Sequence, residues 1–461
     1  MNNMDINSKS YQYFRRIIPM KSVLIIISML AFSVLGCGEL DFDNPNAPIL
    51  ENAAEIPIQN LVTGAEAGMR VSLAIYLRDV SIIGREAYYF EPADPRYTGE
   101  LMNDRLDPGG FLVNNPWTAR YNVINNCNLL LEVKLPQLVG DALADERAGL
   151  EGFAKTIIAY QLLLNLNLMN DNGVQLDFSG DFSSPLSSKG DSFAKIASLL
   201  DEANSLLGNG GNAFIFSLSS GFSGFDTPAT FQLFNRALAA RVAVYRGLYA
   251  DALTALNGSF VDESADLDVG VFHVYSTGLG DQTNQVFESP GAEVIKWMGH
   301  PTFETDAESG DIRFENKVIK RVVADPNNPG QTLPDVTTFD NLTTDLGVTI
   351  VGGSSDPLPI IRNEELLLLR AEANIGLGAF AAAEADINVV RDAAGLSASP
   401  TLDANNALNQ LLHEKRYSLF LEGHRWIDMR RYGKLGDLPI DRAGDAVVTD
   451  FPVPETEVPE P

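Results

Sequence analysis

Cysteine is almost absent. The 461 residues contain two, Cys37 and Cys127, so no disulfide framework holds this fold. Histidine is scarce as well, with four residues, His273, His300, His413 and His424. None stands in the HExxH spacing by which a helix offers two imidazoles to one zinc ion, and neither a metal nor a cofactor is expected. Basic side chains number 33 against 61 acidic ones, and a net charge of −28 excludes sequence-independent binding to a phosphate backbone, so nucleic acid is not a partner. Beyond one run near the N-terminus, no apolar stretch approaches the roughly 20 residues that cross a bilayer. Nucleophile elbow, phosphate loop and dinucleotide fingerprint are all missing, since GFSGF at 221–225 lacks the G-x-S-x-G spacing. No catalytic residue is assigned.

What is present begins with a leader. Arg15, Arg16 and Lys21 precede the apolar run 22–35, which ends at Gly36-Cys37, the layout of a signal peptide. VLGC at 34–37 resembles a bacterial lipobox. Residues 1–36 are therefore expected to be removed, with Cys37 as the lipidation site whose palmitate-type chains anchor the protein to membrane lipid. Residues 37–55, acidic and bearing Asn and Pro, read as a tether. Roughly 425 residues then remain, enough for one large domain or two to three small ones. Cys127, within INNCNLLLEV, reads as a buried, inert thiol.

Helical periodicity dominates where the pattern is strong, over 58–76, 117–133, 146–169, 192–207, 230–245 and 250–256, and again over 362–377, 381–394 and 404–432. Between these groups, residues 260–350 are rich in Gly, Asp, Asn and Pro, with strand candidates at 271–275 and 316–323. A segment of that length without regular structure is expected to serve function. Two blocks look alike, RVAVYRGLYADALTAL at 241–256 and LRAEANIGLGAFAAAEADINVV at 369–390. Each turns through a glycine (Gly247, Gly378), places an aromatic two residues on (Tyr249, Phe380) and starts a new helix with alanine, a helix hairpin resembling a tetratricopeptide repeat.

The C-terminal series carries a family resemblance. Residues 359–396, with RNEELLLLRAEA and a helix ending VRDAAGL, are followed over 411–435 by EKRYSLFLEGHRWIDMRR. In that order the motifs resemble the SusD/RagB family of outer-membrane nutrient-binding lipoproteins. DNPNAP after the lipobox, the Trp117 and Tyr121 helix with Asn125, Asn126 and Asn128, the helix around Tyr160, and ALAARVAVYRGLYADAL add to it. Ser418 departs from the pattern, standing where the family usually carries glutamate. The resemblance implies a mainly α, SusD-like helical fold, with tetratricopeptide-like helix pairs as scaffold and irregular loops with short strands. Residues 56–260 and 351–461 would form one body, and 261–350 a ligand-side insertion. It further implies a surface-exposed protein of the cell outer membrane that binds a glycan or another oligomeric nutrient, is not an enzyme, and passes its cargo to a SusC-like TonB-dependent barrel transporter.

The charges of 414–431, from Glu414 and Arg416 to Arg430 and Arg431, stand three or four apart and read as structural pairing along a helix face. DESADLDVG at 262–270 lacks the closing glutamate of a calcium loop and reads as solvated. A sugar-binding site needs aromatic faces beside fixed hydrogen-bonding groups. The stretch REAYYFEPADPRYTGELMNDR supplies these, making Arg85, Tyr88, Tyr89, Arg96 and Tyr97 candidate ligand residues, with burial in the core the alternative for Tyr88 and Phe90. Trp297, in KWMGHPTFETD, is a further candidate, whereas Trp117 and Trp426 stand at helix-packing positions. Two other readings stay open: a lipid-anchored hydrolase on a helical scaffold, and a repeat scaffold that binds only proteins.

Overall fold

The computed structural model describes residues 54–178, 185–289 and 296–457. Cys37, its leader and most of the tether lie outside the described residues. Among the described residues no helix is long and apolar enough to cross a membrane.

The protein is mainly α-helical. The principal helices are α1 (Ile58–Arg70), α2 (Leu73–Ile83), α3 (Phe111–Leu129), α4 (Ala144–Met169), α5 (Lys189–Leu207), α6 (Pro228–Tyr245), α7 (Tyr249–Asn257), α8 (Asn363–Gly376), α9 (Phe380–Ala393), α10 (Ala407–Ser418) and α11 (Arg425–Arg431). Their starts follow local chemistry: Ser188 Oγ accepts the Asp191 N–H at the head of α5, and Thr227 forms a reciprocal cap with Thr230 ahead of Pro228 in α6. Helix α4 is buried on every side from Phe153 to Met169 except at Lys155, which explains a sequence rich in Ala and Leu with no polar face.

Each of α3 to α9 packs on the next. The contact between α7 and α8 matters most, because residues 258–362 intervene between them in sequence. The two look-alike blocks are therefore neighbours in space, and the intervening residues leave the helical stack and return to the same place. Gly247 and Gly378 turn with φ of +71° and +75°, conformations that favour glycine. At the junction the Tyr249 ring lies against Gly376, where an added Cβ would fall 2.2 Å from the ring.

Two expected helices are interrupted. The 58–76 pattern breaks at Val71 and Ser72, with Ser72 at φ +54°, because the buried Arg120 guanidinium takes the carbonyls of Met69 (2.9 Å) and Val71. The 404–432 pattern breaks between α10 and α11, where Leu421 (φ +62°) and Gly423 (φ +88°) reverse the chain. There Glu86 Oε1 accepts the Leu421 N–H at 3.3 Å. Both breaks are made by side chains distant in sequence.

Residues 260–350 hold more strand than their composition implies. Strands β1 (Ala87–Tyr89), β2 (Gly270–His273), β3 (Trp297–Gly299), β4 (Val318–Lys320), β5 (Val322–Ala324), β6 (Thr332–Pro334), β7 (Thr337–Phe339), β8 (Leu342–Thr344), β9 (Leu346–Val348) and β10 (Leu358–Arg362) are short. A four-stranded antiparallel sheet runs β1-β3-β9-β4, and β2 pairs with β10. The described residues form one compact unit.

Charges on the C-terminal helices lock the stack. Glu414, fully buried, is bridged by Arg391 at 2.6 Å and Arg313 at 2.7 Å, and Lys415 spans Glu372 at 2.9 Å and Asp428 at 2.7 Å. Ser418 fits this network without a carboxylate, since its Oγ accepts from Arg313 at 3.1 Å and its carbonyl from Arg362 at 2.7 Å. Cys127 is wholly buried, and burial pushes its thiol far above its ordinary range.

Candidate functional site

A cleft of about 510 Å³ opens where α2, α4 and α6 meet the β2–β10 ladder and the Phe420–His424 turn. Its floor is aromatic and buried: Tyr76 from α2, Tyr160 from α4, Tyr245 from α6 and His273 from β2. Its rim is exposed and comes from the irregular half of the chain, with Asp268, Asn316 and Pro357. The volume lies within the range of about 300 to 1,000 Å³ usual for small-molecule sites.

Local sequence explains the shape. β2 alternates, so Val271 and His273 point inward while Phe272 is half-buried along the wall. Gly270 lets the ladder with β10 close, because a Cβ there would lie 2.4 Å from the Ile361 carbonyl. On the other wall Leu421, held in its left-handed conformation by Glu86, aims the turn into the cleft.

The floor is hydroxyl-bearing and neutral. Tyr160 Oη lies 3.4 Å from His273 Nε2, Tyr245 Oη lies 3.5 Å from His424 Nδ1, and Tyr76 Oη accepts from Asn167 Nδ2 at 3.2 Å. Burial, followed by Arg120 and Arg70, holds His273 down to about 3, so its ring is uncharged at neutral pH. Burial pushes the Tyr160 phenol up to about 12. Most of the charged groups are already paired, Arg241 with Glu365 at 2.6 Å and Arg362 with Glu422 at 2.8 Å and with Glu364, while Lys317 donates to the Ser418 carbonyl. Burial alone would raise the Glu365 carboxyl, but Arg241 and then His424 hold it below its usual value. That carboxylate is not an acid poised to protonate a leaving group, which glycoside hydrolysis requires. The surface suits a ligand with apolar faces and many hydroxyls.

Residues 335–451 match the SusD family. That segment belongs to the SusD family. Solved structures extend the likeness to the fold of most of the chain. Surface glycan-binding protein A from Bacteroides thetaiotaomicron is similar with a TM-score of 0.65 at 16% identity, covering 87% of this chain and 96% of that one. The same protein in complex with laminarihexaose gives 0.61 at 15% identity, over 82% and 90% of the two chains. A SusD superfamily protein from Bacteroides vulgatus gives 0.60 at 17%, over 82% and 88%. No curated protein matches the chain.

On this SusD-like body the residues singled out in the 85–97 stretch come together, but as core. Tyr88, Tyr89, Tyr97 and Trp297 are between 2% and 7% exposed. Tyr89 meets Tyr97 at 4.8 Å and Trp297 at 5.6 Å, both edge-on, while Tyr88 stacks on Phe90 at 5.4 Å. Arg85 is fully buried and clamps backbone, donating to the carbonyls of Ile82 (3.0 Å), Pro439 (3.1 Å) and Ala446 (3.1 Å). Only Arg96 of this set reaches solvent, its side chain 43% exposed, paired with Asp94 and lying over Phe111. The expectation of an open aromatic loop is thereby corrected: Tyr88 pairs with Met298 and Tyr89 with Trp297 in a short ladder whose strands lie more than two hundred residues apart in sequence, which seals the rings. Trp117 and Trp426 are buried, at 2% and 0%.

The cleft residues were less visible. Tyr76, Tyr160 and Tyr245 each sit on an apolar helix stripe, where tyrosine reads as core. A hydroxyl recurring on three separate apolar stripes was the available signal. The insertion contributes to the cleft through Asp268, Phe272, His273, Asn316, Lys317 and Ile350.

Proposed function

We propose that this protein binds a glycan without cleaving it and delivers it to a TonB-dependent barrel transporter, held at the outer-membrane surface by acyl chains on Cys37. The carrying observation is the cleft: an uncharged floor of tyrosine hydroxyls and an imidazole, roofed by the insertion, with its carboxylates committed to arginines. Supporting it, the SusD fold recurs in a surface glycan-binding protein solved with laminarihexaose. Lipidation is supported by the VLGC sequence, and delivery by the SusD family segment, whose resemblance implies a barrel partner.

The test is calorimetry of the purified protein against a panel of α- and β-linked hexasaccharides, with reducing ends assayed after long incubation. Saturable binding with no new reducing ends is the expected result. Release of reducing ends, or silence across the panel, overturns it.

A further inference from the structure

A second cleft, of about 470 Å³, runs along α3 and lies apart from the one floored by Tyr160. Its wall is one stripe of that helix. Trp117, Tyr121, Asn125 and Asn128 follow at spacings of three and four, with Asn122 beside them, which sets neighbours about 5–6 Å apart on one face. Phe178, from outside that helix, also lines the cleft.

The aromatic end is fixed in place. The Trp117 and Tyr121 rings lie 4.7 Å apart, the indole N–H donates to Glu457 Oε1 at 3.0 Å, and Tyr121 Oη both accepts from Gln175 N (2.8 Å) and donates to its carbonyl (3.0 Å). The amide end is unengaged. Asn128 is only 9% exposed, yet its carboxamide makes no hydrogen bond to any described residue, and neither do those of Asn122 and Asn125 at the mouth. With no partner inside the described protein, the Asn128 carboxamide is open to one that enters the cleft from outside.

Charge narrows the ligand. Among the described lining residues the charged side chains are the carboxylates Asp177 and Glu457, and none is a cation. A phosphate, sulfate or uronate would meet repulsion without a counter-charge. Each carboxamide offers a donor pair and an acceptor, the pattern that adjacent sugar hydroxyls complement, and the half-buried Tyr121 and Phe178 rings, with Tyr121 backed by the buried Trp117, can cover an apolar sugar face. We propose that this cleft is a second carbohydrate site, specific for a neutral oligosaccharide. The proposal extends the glycan-binding reading but does not require the first cleft to be occupied.

The experiment titrates maltohexaose, cellohexaose, laminarihexaose and a neutral hexapeptide into the wild-type protein, an Asn125→Ala/Asn128→Ala variant, an Asn125→Trp variant that fills the cleft from an exposed position, and Phe272→Ala in the first cleft. Binding of at least one hexasaccharide is expected, weakened tenfold or more in the double variant and abolished at this site by Asn125→Trp, with melting temperatures unchanged and this component intact in Phe272→Ala. Unchanged affinity in both α3 variants overturns the site; if Phe272→Ala then removes all sugar binding, the glycan-binding reading survives without it. Binding of the peptide alone makes this a peptide groove and overturns the proposal. No sugar binding anywhere overturns both.

Discussion

Arg241, near the end of α6, holds Glu365, in the first turn of α8, through two parallel hydrogen bonds of 2.6 Å each, and gives a third to the Ile360 carbonyl at 2.7 Å. One side chain thus joins the two repeat-like hairpins across the whole irregular excursion and borders the cleft. A bidentate pair of this kind is among the stronger side-chain contacts.

Arg241→Ala strands a buried carboxylate, and removal of one partner from a buried pair costs about 3–5 kcal/mol. Urea unfolding should show a loss of that order. Arg241→Lys keeps the charge but not the fork, and should recover only part of it.

Gly376→Ala tests the junction of the repeats. A methyl there meets the Tyr249 ring, both parts of packed helices, and overpacking typically costs about 1–3 kcal/mol. The paired variant Gly376→Ala/Tyr249→Ala should be less destabilised than the sum of its parts. Strict additivity would show that the ring does not lie over the glycine.

How much of this was legible in sequence depends on how far each contact reaches. Helix hairpins rest on local periodicity and on Gly247 and Gly378, so they could be read directly. The fate of Tyr88, Tyr89 and Trp297 could not, because their burial comes from pairing β1 with β3, and a sequence local to either strand carries no trace of the other. Aromatic residues flanked by proline and glycine look like a loop until a remote strand covers them. The helix breaks at Ser72 and Leu421 were hidden for the same reason, being imposed by Arg120 and Glu86. Residues 260–350 were legible as the non-helical half, while their place at the cleft rim depended on the ladder between β2 and β10.

Glu86 supplies a pH prediction. Burial, only partly offset by Arg425 and the Leu421 N–H, raises its carboxyl from 4.5 to about 7. The native state therefore binds a proton that the unfolded chain has lost between these values. Stability from this group is full below about pH 4.5 and is lost as pH rises through about 7. Relative to the wild type, Glu86→Gln should gain on the order of 3 kcal/mol between pH 4.5 and pH 7. Denaturant midpoints at the two pH values measure this, and a difference that does not change with pH would contradict it.

Cys37→Ser should leave the protein without acyl chains. Fractionated cells would then show it released from the membrane and unlabelled by palmitate, whereas the parent stays membrane-bound. Retention and labelling in the variant would remove the anchor from the account.

The central claim is that cargo lies against the tyrosine floor beneath the insertion. Phe272→Ala removes an aromatic wall of that cleft without touching its ion pairs, and should cost about 1–2 kcal/mol of binding, roughly five- to thirtyfold. Calorimetric titration of the hexasaccharide bound best by the wild type decides the matter. A loss of that size for Phe272→Ala, with the fold intact and the α3 cleft filled by Asn125→Trp in both proteins, is the predicted result; equal affinities in that background would contradict it.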